Sequence, residues 1–226
     1  MNEVRLTVAG ELRGRLRLGL VSASPVRVES SSPELLGETE TLCRKLRTEL
    51  AGLQPSAIDD LRPAREFYKS FGIDPTKTRP SSEALLRRVL KEKPLPRILN
   101  AVDLCNHLAV ELLLPIGLYD VDKIRGAVTL RTGLAGESYP GIRKSEVHLE
   151  GRPVLLDDEG PFGNPTSDSL RTCVEPSTTK LWMVIFAPAS YPAERLAADA
   201  ERARAGMERH LVPEAETGEC RAEVWA

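Results

Sequence analysis

The chain has 226 residues, 41% hydrophobic and 28% charged, with a formal net charge of −2. That length supports a core well above marginal size, and the composition is that of an ordinary globular protein. The charge balance excludes a protein coated in nucleic-acid-binding charge, though not a local basic patch. Aromatic residues make up only 4%, so aliphatic side chains must build the core. Cys43, Cys105, Cys173 and Cys220 form no C-x-x-C pair and are spaced too widely for a zinc knuckle. They read as free thiols in a reducing compartment. The N-terminal stretch MNEVRLTVAGELRGRL has no apolar run of signal-peptide length. The most apolar segment, Leu108 to Tyr119, is broken by Glu111 and Pro115, so nothing approaches the ~20 residues of a membrane span. A cytoplasmic protein with no membrane partner is expected.

The first segment alternates: Val4, Leu6 and Val8 against Arg5 and Thr7, then Leu16, Leu18 and Leu20. This is the period of a half-buried strand. Ser32-Pro33-Glu34 then combines an N-cap, a proline at the first helical position and an acid in the first turn. Leu35, Leu42, Leu46, Leu50 and Leu53 follow at mostly helical spacing, closed by Gly52 and Pro55. A second helix is predicted over 60–72, carrying Leu61, Phe67, Tyr68 and Phe71. A third starts at Ser81-Ser82-Glu83, and a fourth runs from about Ile98 to Leu113 before Pro115. Beyond Asp120 the pattern turns to short strands at Ala127–Arg131, Ser145–Leu149 and Val154–Leu156, separated by glycines. Leu181 to Phe186 reads as a buried strand and Pro192 to Leu211 as a helix, and the tail from Glu219 can return as a last strand. Central helices between strands predict one α+β domain, with the helices packed on mixed or antiparallel sheets. Within it, residues 1–60 pack on a core spanning 61–210, and 211–226 form a C-terminal tail.

Charge is uneven. Residues 62–97 carry ten Lys/Arg against four Asp/Glu. Arg79, Arg87, Arg88 and Lys91 read either as a solvated helical face or as a phosphate-contacting stripe for an RNA end.

The informative run is Arg79-Pro80-Ser81-Ser82-Glu83, then Leu95-Pro96, Ala101-Val102-Asp103-Leu104-Cys105-Asn106 and Pro115-Ile116-Gly117-Leu118-Tyr119-Asp120. Asp122-Lys123-Ile124, Gly126, Leu130-Arg131 and Gly136-Glu137 follow. In order and spacing this resembles the B3/B4 editing module of the bacterial phenylalanyl-tRNA synthetase beta subunit, over Leu61 to Pro188. The eleven-residue step from Asn106 to Gly117 matches the step from asparagine to histidine in that family.

The resemblance implies a fold of the B3/B4 type and hydrolysis of the ester of a mischarged tRNA, which a free-standing relative would perform in trans. The alternative is a non-catalytic module that binds aminoacylated RNA 3′ ends, or a free amino acid or nucleotide. The implied partners are a tRNA acceptor end and an amino acid moiety. No cofactor, metal or DNA is expected. Cys105 and Asn106 stand at the Thr-Asn pair that lines the family's pocket. Cys105 reads equally as a small buried hydrophobe, and Asn106 as a helix-to-loop hydrogen bond. His107 lies two positions along and faces away from Cys105. Gly117 replaces the family's histidine, which leaves room for a water or a bulkier ligand and removes the obvious general base.

Residues 160–169 sit where the family has a Gly-rich loop over its pocket. Asp168 and Ser169, with Arg171 and Thr172 just after, are expected to clamp a ligand, or else to form an ordinary surface turn. Trp182 falls where the family's glutamate reads the tyrosine hydroxyl, and no acid stands between Lys180 and Phe186. An indole cannot accept a phenolic proton, so a smaller, apolar or stacking ligand is expected unless Trp182 points into the core. His148 and His210 read as structural or surface residues.

Overall fold

The computed structural model describes residues 5–142, 146–213 and 218–225. Five helices and ten strands alternate along them. Strand β1 is Leu6–Val8 and β2 is Leu16–Ser24. Helices α1 (Pro33–Glu49), α2 (Arg62–Ser70), α3 (Ser81–Leu90) and α4 (Asn100–Leu112) follow. The chain continues through β3 (Ile116–Asp120), β4 (Val128–Thr132), β5 (Ser138–Tyr139), β6 (Val147–His148), β7 (Pro153–Asp157) and β8 (Gly160–Gly163). It closes with β9 (Leu181–Pro188), α5 (Ala193–Leu211) and β10 (Glu219–Trp225). The architecture is a single α+β domain. Val4 and Ser145, expected in strands, lie outside the described residues.

Local chemistry explains the helix ends. The Ser32 hydroxyl accepts from the Leu35 amide at 3.2 Å, with Pro33 in the first turn. Helix α4 ends on Leu113 in a left-handed conformation (φ 55), two residues before the expected proline stop. Asn100 ties its start to the chain ahead of α1, accepting from the Glu29 amide at 3.0 Å and donating to the Arg27 carbonyl at 2.9 Å.

One sheet has the order β10-β2-β9-β3, the other β1-β4-β7-β8, and β5 pairs with β6. The first sheet is antiparallel throughout, and β2 sits between β10 and β9. Strand β9 is buried along its whole length, so both of its faces are core. Leu181, Met183, Ile185 and Ala187 pack with Ala101, Leu104 and Leu108 of α4 and Leu196, Ala200 and Met207 of α5. Trp182, Val184 and Phe186 face the opposite way, toward Val128, Leu130, Leu155 and Phe162 of the second sheet and Phe67 and Tyr68 of α2. Helices α1 and α3 cover α4 through Cys43, Val89 and Val110. The molecule is layered: helices, sheet, then a second sheet flanked by α2.

Two strands correct the sequence reading. Residues 116–120, ahead of the expected strands beyond Asp120, form β3, and 160–163, expected as loop, form β8. Pro115 and Gly117 punctuate the first and Gly160-Pro161 opens the second. Pairing with β9 and β7 overrides those local signals.

Candidate ligand-binding site

Strand β3 is the edge of its sheet. Its outward amides need partners other than a strand. The segment 164–172 supplies them: the Leu118 amide donates to Asp168 Oδ2 at 3.4 Å, and the Asp120 amide to the Thr172 carbonyl at 3.0 Å. The segment is itself fixed by Asn164, whose Oδ1 accepts from the amides of Thr166 (2.7 Å) and Ser167 (3.0 Å) and from the Thr166 hydroxyl. Asp168 therefore sits against a sheet edge, where groups from both faces of the sheet converge.

Those groups are Cys105 from α4, Tyr119 from β3, Tyr139 from β5 and Tyr68 from α2, all acted on by the Asp168 charge. The Tyr68 hydroxyl donates to the Pro165 carbonyl at 2.8 Å and Tyr139 to the Ser167 carbonyl at 2.5 Å, pinning the loop above and below. Burial pushes the Cys105 thiol up to about 12, and the Asp168 charge adds to it. Burial also pushes the three phenols above their ordinary range. Asp168 is pushed up to about 7 by burial, against the opposing help of the Tyr119 hydroxyl and the Leu118 amide. Cys105 and Asp168 nonetheless keep some accessible surface. This half-buried cluster at the sheet edge is the candidate recess.

Tyr119 is wholly buried. Its hydroxyl bears on Asp168, but no donor–acceptor pair there has hydrogen-bond geometry, and it is left without a partner. The amide nitrogen of Asn164, also buried, is likewise unpartnered. The room expected over Gly117 is a further correction. A Cβ on Gly117 would overlap the hydroxyl end of the Tyr119 ring, and one on Gly163 would lie 2.5 Å from the hydroxyl oxygen. The protein's own phenol, two residues along the same strand, fills the space. Sequence reasoning missed Tyr119, Tyr68, Tyr139 and Asn164; the adjacency of Gly117 and Tyr119 on one strand face was the available signal.

The remaining expected residues separate. Asn106 is half-buried on α4 beside Cys105, and its side chain makes no hydrogen bond to another described residue. The Ser169 hydroxyl is buried and meets the Thr172 hydroxyl at 3.2 Å. Arg171 turns away to Asp157 (2.8 Å) and Glu159 (3.3 Å). Only Asp168 of that run faces the recess. Trp182 lies across from Tyr119 on the same face of the sheet, on the far side of β9 from the cluster that Cys105 packs against. Its rim opens on a groove of about 1070 Å³ that Arg5, Ser22, Asp122 and Lys180 also line, and that Cys105 and Asp168 do not. Tyr119 is its link to the recess. His107 meets the Thr39 hydroxyl at 3.0 Å, His210 meets Glu38 at 3.0 Å, and His148 is exposed.

The basic stripe divides in two. Glu83, 2% exposed, accepts from Arg65 (2.8 Å) and Arg87 (2.9 Å), with Arg79 at 3.7 Å. Burial pushes this carboxyl up, but the hydrogen bonds from Arg65 and Arg87 outweigh it and hold the group below its ordinary range. Arg88 donates to the Pro94 carbonyl at 2.5 Å, and Lys91 is exposed with no partner among the described residues. Arg131 and Glu137, from the motif run, form a two-fold ion pair at 2.7 and 2.5 Å that braces the turn between β4 and β5.

The protein is an α+β domain with phenols, a thiol and one carboxylate gathered at a sheet edge. The chain belongs to the B3/4 domain family, whose sequence profile matches residues 63–214. It is 25% identical over 152 residues to the phenylalanine–tRNA ligase beta subunit of Chromobacterium violaceum, covering 63% of this chain and 19% of that one. It is 32% identical over 93 residues to the Streptomyces avermitilis beta subunit, covering 41% and 11%. The chain thus spans a fifth or less of the curated relatives it matches. An N-terminal fragment of the phenylalanyl-tRNA synthetase beta subunit from Pyrococcus horikoshii aligns with 97% of this chain and 51% of its own, at a TM-score of 0.47 and 15% identity. Among the described residues no helix is long and apolar enough to cross a membrane.

Proposed function

We propose that the recess receives the aminoacylated 3′ end of a tRNA and that the protein hydrolyses the ester of a wrongly attached amino acid, in trans, in the cytoplasm. The observation that carries this reading is the Cys105–Asn106 pair of α4 in a chain of the B3/4 family, with Cys105 near Asp168, at the positions that match the Thr-Asn pair lining the synthetase pocket. Asn106 has both amide donors and its carbonyl unused, so it can hold a substrate carbonyl or a ribose hydroxyl. The Cys105 thiol stays protonated at neutral pH and is no nucleophile. Water is the attacking group, and the neighbouring ribose hydroxyl of the substrate is the positioned helper. Arg88 and Lys91, without acidic partners, serve the phosphates of the acceptor end.

The second reading is a module that binds an aminoacylated RNA end, or a free amino acid or nucleotide, without chemistry. It is favoured by one observation: all three histidines lie outside the recess. The test is a panel of aminoacyl-tRNAs incubated with the whole chain and followed for loss of the amino acid. Deacylation supports the first reading; binding with no deacylation of any member supports the second. Asn106→Ala is expected to weaken whichever activity is present by about 1–3 kcal/mol while leaving the melting temperature unchanged. With no acid between Lys180 and Phe186 to accept a phenolic proton, and with Trp182 packed outside the recess, tyrosine is expected to be removed more slowly than small or apolar amino acids. Tyrosine removed fastest would sink that preference.

A further inference from the structure

Asp168, half-buried at the sheet edge, is held differently from the buried carboxylates of the core. Each buried carboxylate of the described residues accepts at least one hydrogen bond of 2.8 Å or shorter, and two of them hold arginines. Glu83 holds Arg65 and Arg87, and Asp157 holds both arms of Arg171. Asp120 accepts from the Thr178 hydroxyl at 2.7 Å and the Asp122 amide at 3.0 Å. Asp103 accepts from the Ser31 hydroxyl and the Ile98 amide, and Asp199 from the Tyr191 hydroxyl. Asp168 has one long bond from an amide, the Tyr119 hydroxyl bearing on it without hydrogen-bond geometry, and no cation of the described residues within ion-pair distance. The nearby Arg152 is turned to the Thr166 hydroxyl at 3.3 Å, and its charge bears on Tyr68 and Tyr139. A desolvated carboxylate without a counterion is costly to keep, and an unsatisfied polar group in a folded protein calls for an explanation.

We infer that the recess takes ligands carrying a protonated primary amine, with Asp168 as the counterion for that ammonium and the unpartnered Tyr119 hydroxyl as a second acceptor beside it. The inference rests on the recess being the ligand site and names the group it reads. An ammonium has three donors and no acceptor. The Asp168 carboxylate and the Tyr119 hydroxyl oxygen can each accept one, and the faces of phenol rings favour an adjacent cation. A single carboxylate amid phenols and a thiol is a poor set for a hard divalent metal, which needs six or more oxygens. The α-ammonium of an aminoacyl ester has the required chemistry, whereas an N-acylated one is neutral and bulkier.

The arrangement makes binding depend on pH. The titratable groups facing Asp168 are Tyr68 from α2, Cys105 from α4, Tyr119 from β3 and Tyr139 from β5, all held above neutrality. Arg152, ahead of β7, is the nearby cation. Asp168 alone changes charge near pH 7. A protonated Asp168 must lose its proton before it can pair with an ammonium.

The test is calorimetric titration of the whole chain with amino-acid methyl esters, their N-acetylated forms and a plain alkylamine. The free esters and the alkylamine are expected to bind, and the acetylated esters at least about tenfold more weakly. Alkylamine affinity should rise roughly tenfold per unit from about pH 5 to about pH 7 and then level. Asp168→Asn should abolish amine binding yet fold, and at pH 8 it should melt at a higher temperature than the parent. A structural aspartate would instead leave a less stable variant. Equal affinity for free and acetylated esters overturns the inference, as does affinity that is flat below pH 7. Amine binding without deacylation of any aminoacyl-tRNA leaves the inference standing and removes the hydrolase reading. Equal hydrolysis of N-acetylated and free aminoacyl-tRNA, lost in Asp168→Asn, does the reverse and makes Asp168 a general base.

Discussion

A methyl group on Gly117 would fall inside the Tyr119 ring, and one on Gly163 would meet the same ring from the neighbouring sheet. The two hydrogens are what let the phenol lie flat at the edge of β3, with its hydroxyl toward Asp168. Gly117→Ala is therefore expected to displace the ring and lower stability by about 1–3 kcal/mol, the usual cost of overpacking, measured as a lower urea midpoint. Tyr119→Phe should behave differently. It removes a buried hydroxyl without hydrogen-bond geometry to any partner, so in acid, where Asp168 is protonated, stability should be unchanged or slightly raised. It also removes a group that favours the Asp168 charge, so an NMR titration should show that carboxyl moving above its already raised position. The sequence marked Cys105 and Asn106 because family spacing reaches single residues, and Asp168 only through the loop in which it stands. It did not mark Tyr68, Tyr119 or Tyr139, because a core phenol and a site phenol have the same pattern. Only tertiary packing, which brings together α2, β3 and β5, distinguishes them.

Helix α3 shows how one element can combine a fold anchor with an exposed charge. Glu83 and Arg87 lie one turn apart, and Arg65 reaches the same carboxylate from α2. The pairs join the two helices. Glu83→Gln leaves the arginines without their acid and should cost about 3 kcal/mol, the low end for a broken buried pair because Arg65 and Arg87 still reach water. The folded pKa of Glu83 is depressed, so its contribution is complete above its unfolded value of about 4.3 and drains away as pH falls through the folded one. The stability gap between Glu83→Gln and the parent should therefore be full at neutral pH and shrink in acid, as thermal melts across pH would show. Arg88 and Lys91 point to the other side. Changing both to Gln should leave the melting temperature alone and lower RNA affinity, with the salt slope falling by about two. An unchanged slope makes them a solvated face. The helices were legible in sequence because caps and apolar spacing are local. Strands β3 and β8 were not, because each is short, is broken by glycine or proline, and exists through a partner far along the chain.

At the scale of the whole molecule, the N-terminal segment is built into both sheets. Strand β1 extends the second sheet beside β4, and β2 runs the full length of β9 in the first. Leu16, Leu18 and Leu20 enter one core, while Val21, Ala23, Val26, Val28 and Leu35 enter the other. Each buried Leu or Val is worth about 1.5–3 kcal/mol, so the seven among these are together comparable with the net stability of an ordinary domain, about 5–15 kcal/mol. Losing them would also strip β9 of one neighbour and leave β10 with none, exposing a long apolar edge prone to aggregation. The family profile begins at residue 63, which would suggest a separable core starting there. The register says otherwise, and no glycine-rich or proline-rich linker divides the chain. A chain truncated to residues 60–226 is expected to show no cooperative thermal transition and to aggregate, and limited proteolysis of the full chain should release no stable fragment starting near residue 60. A 60–226 fragment that melts cooperatively would make the first two strands an accessory layer and return the fold to the bounds of the profile.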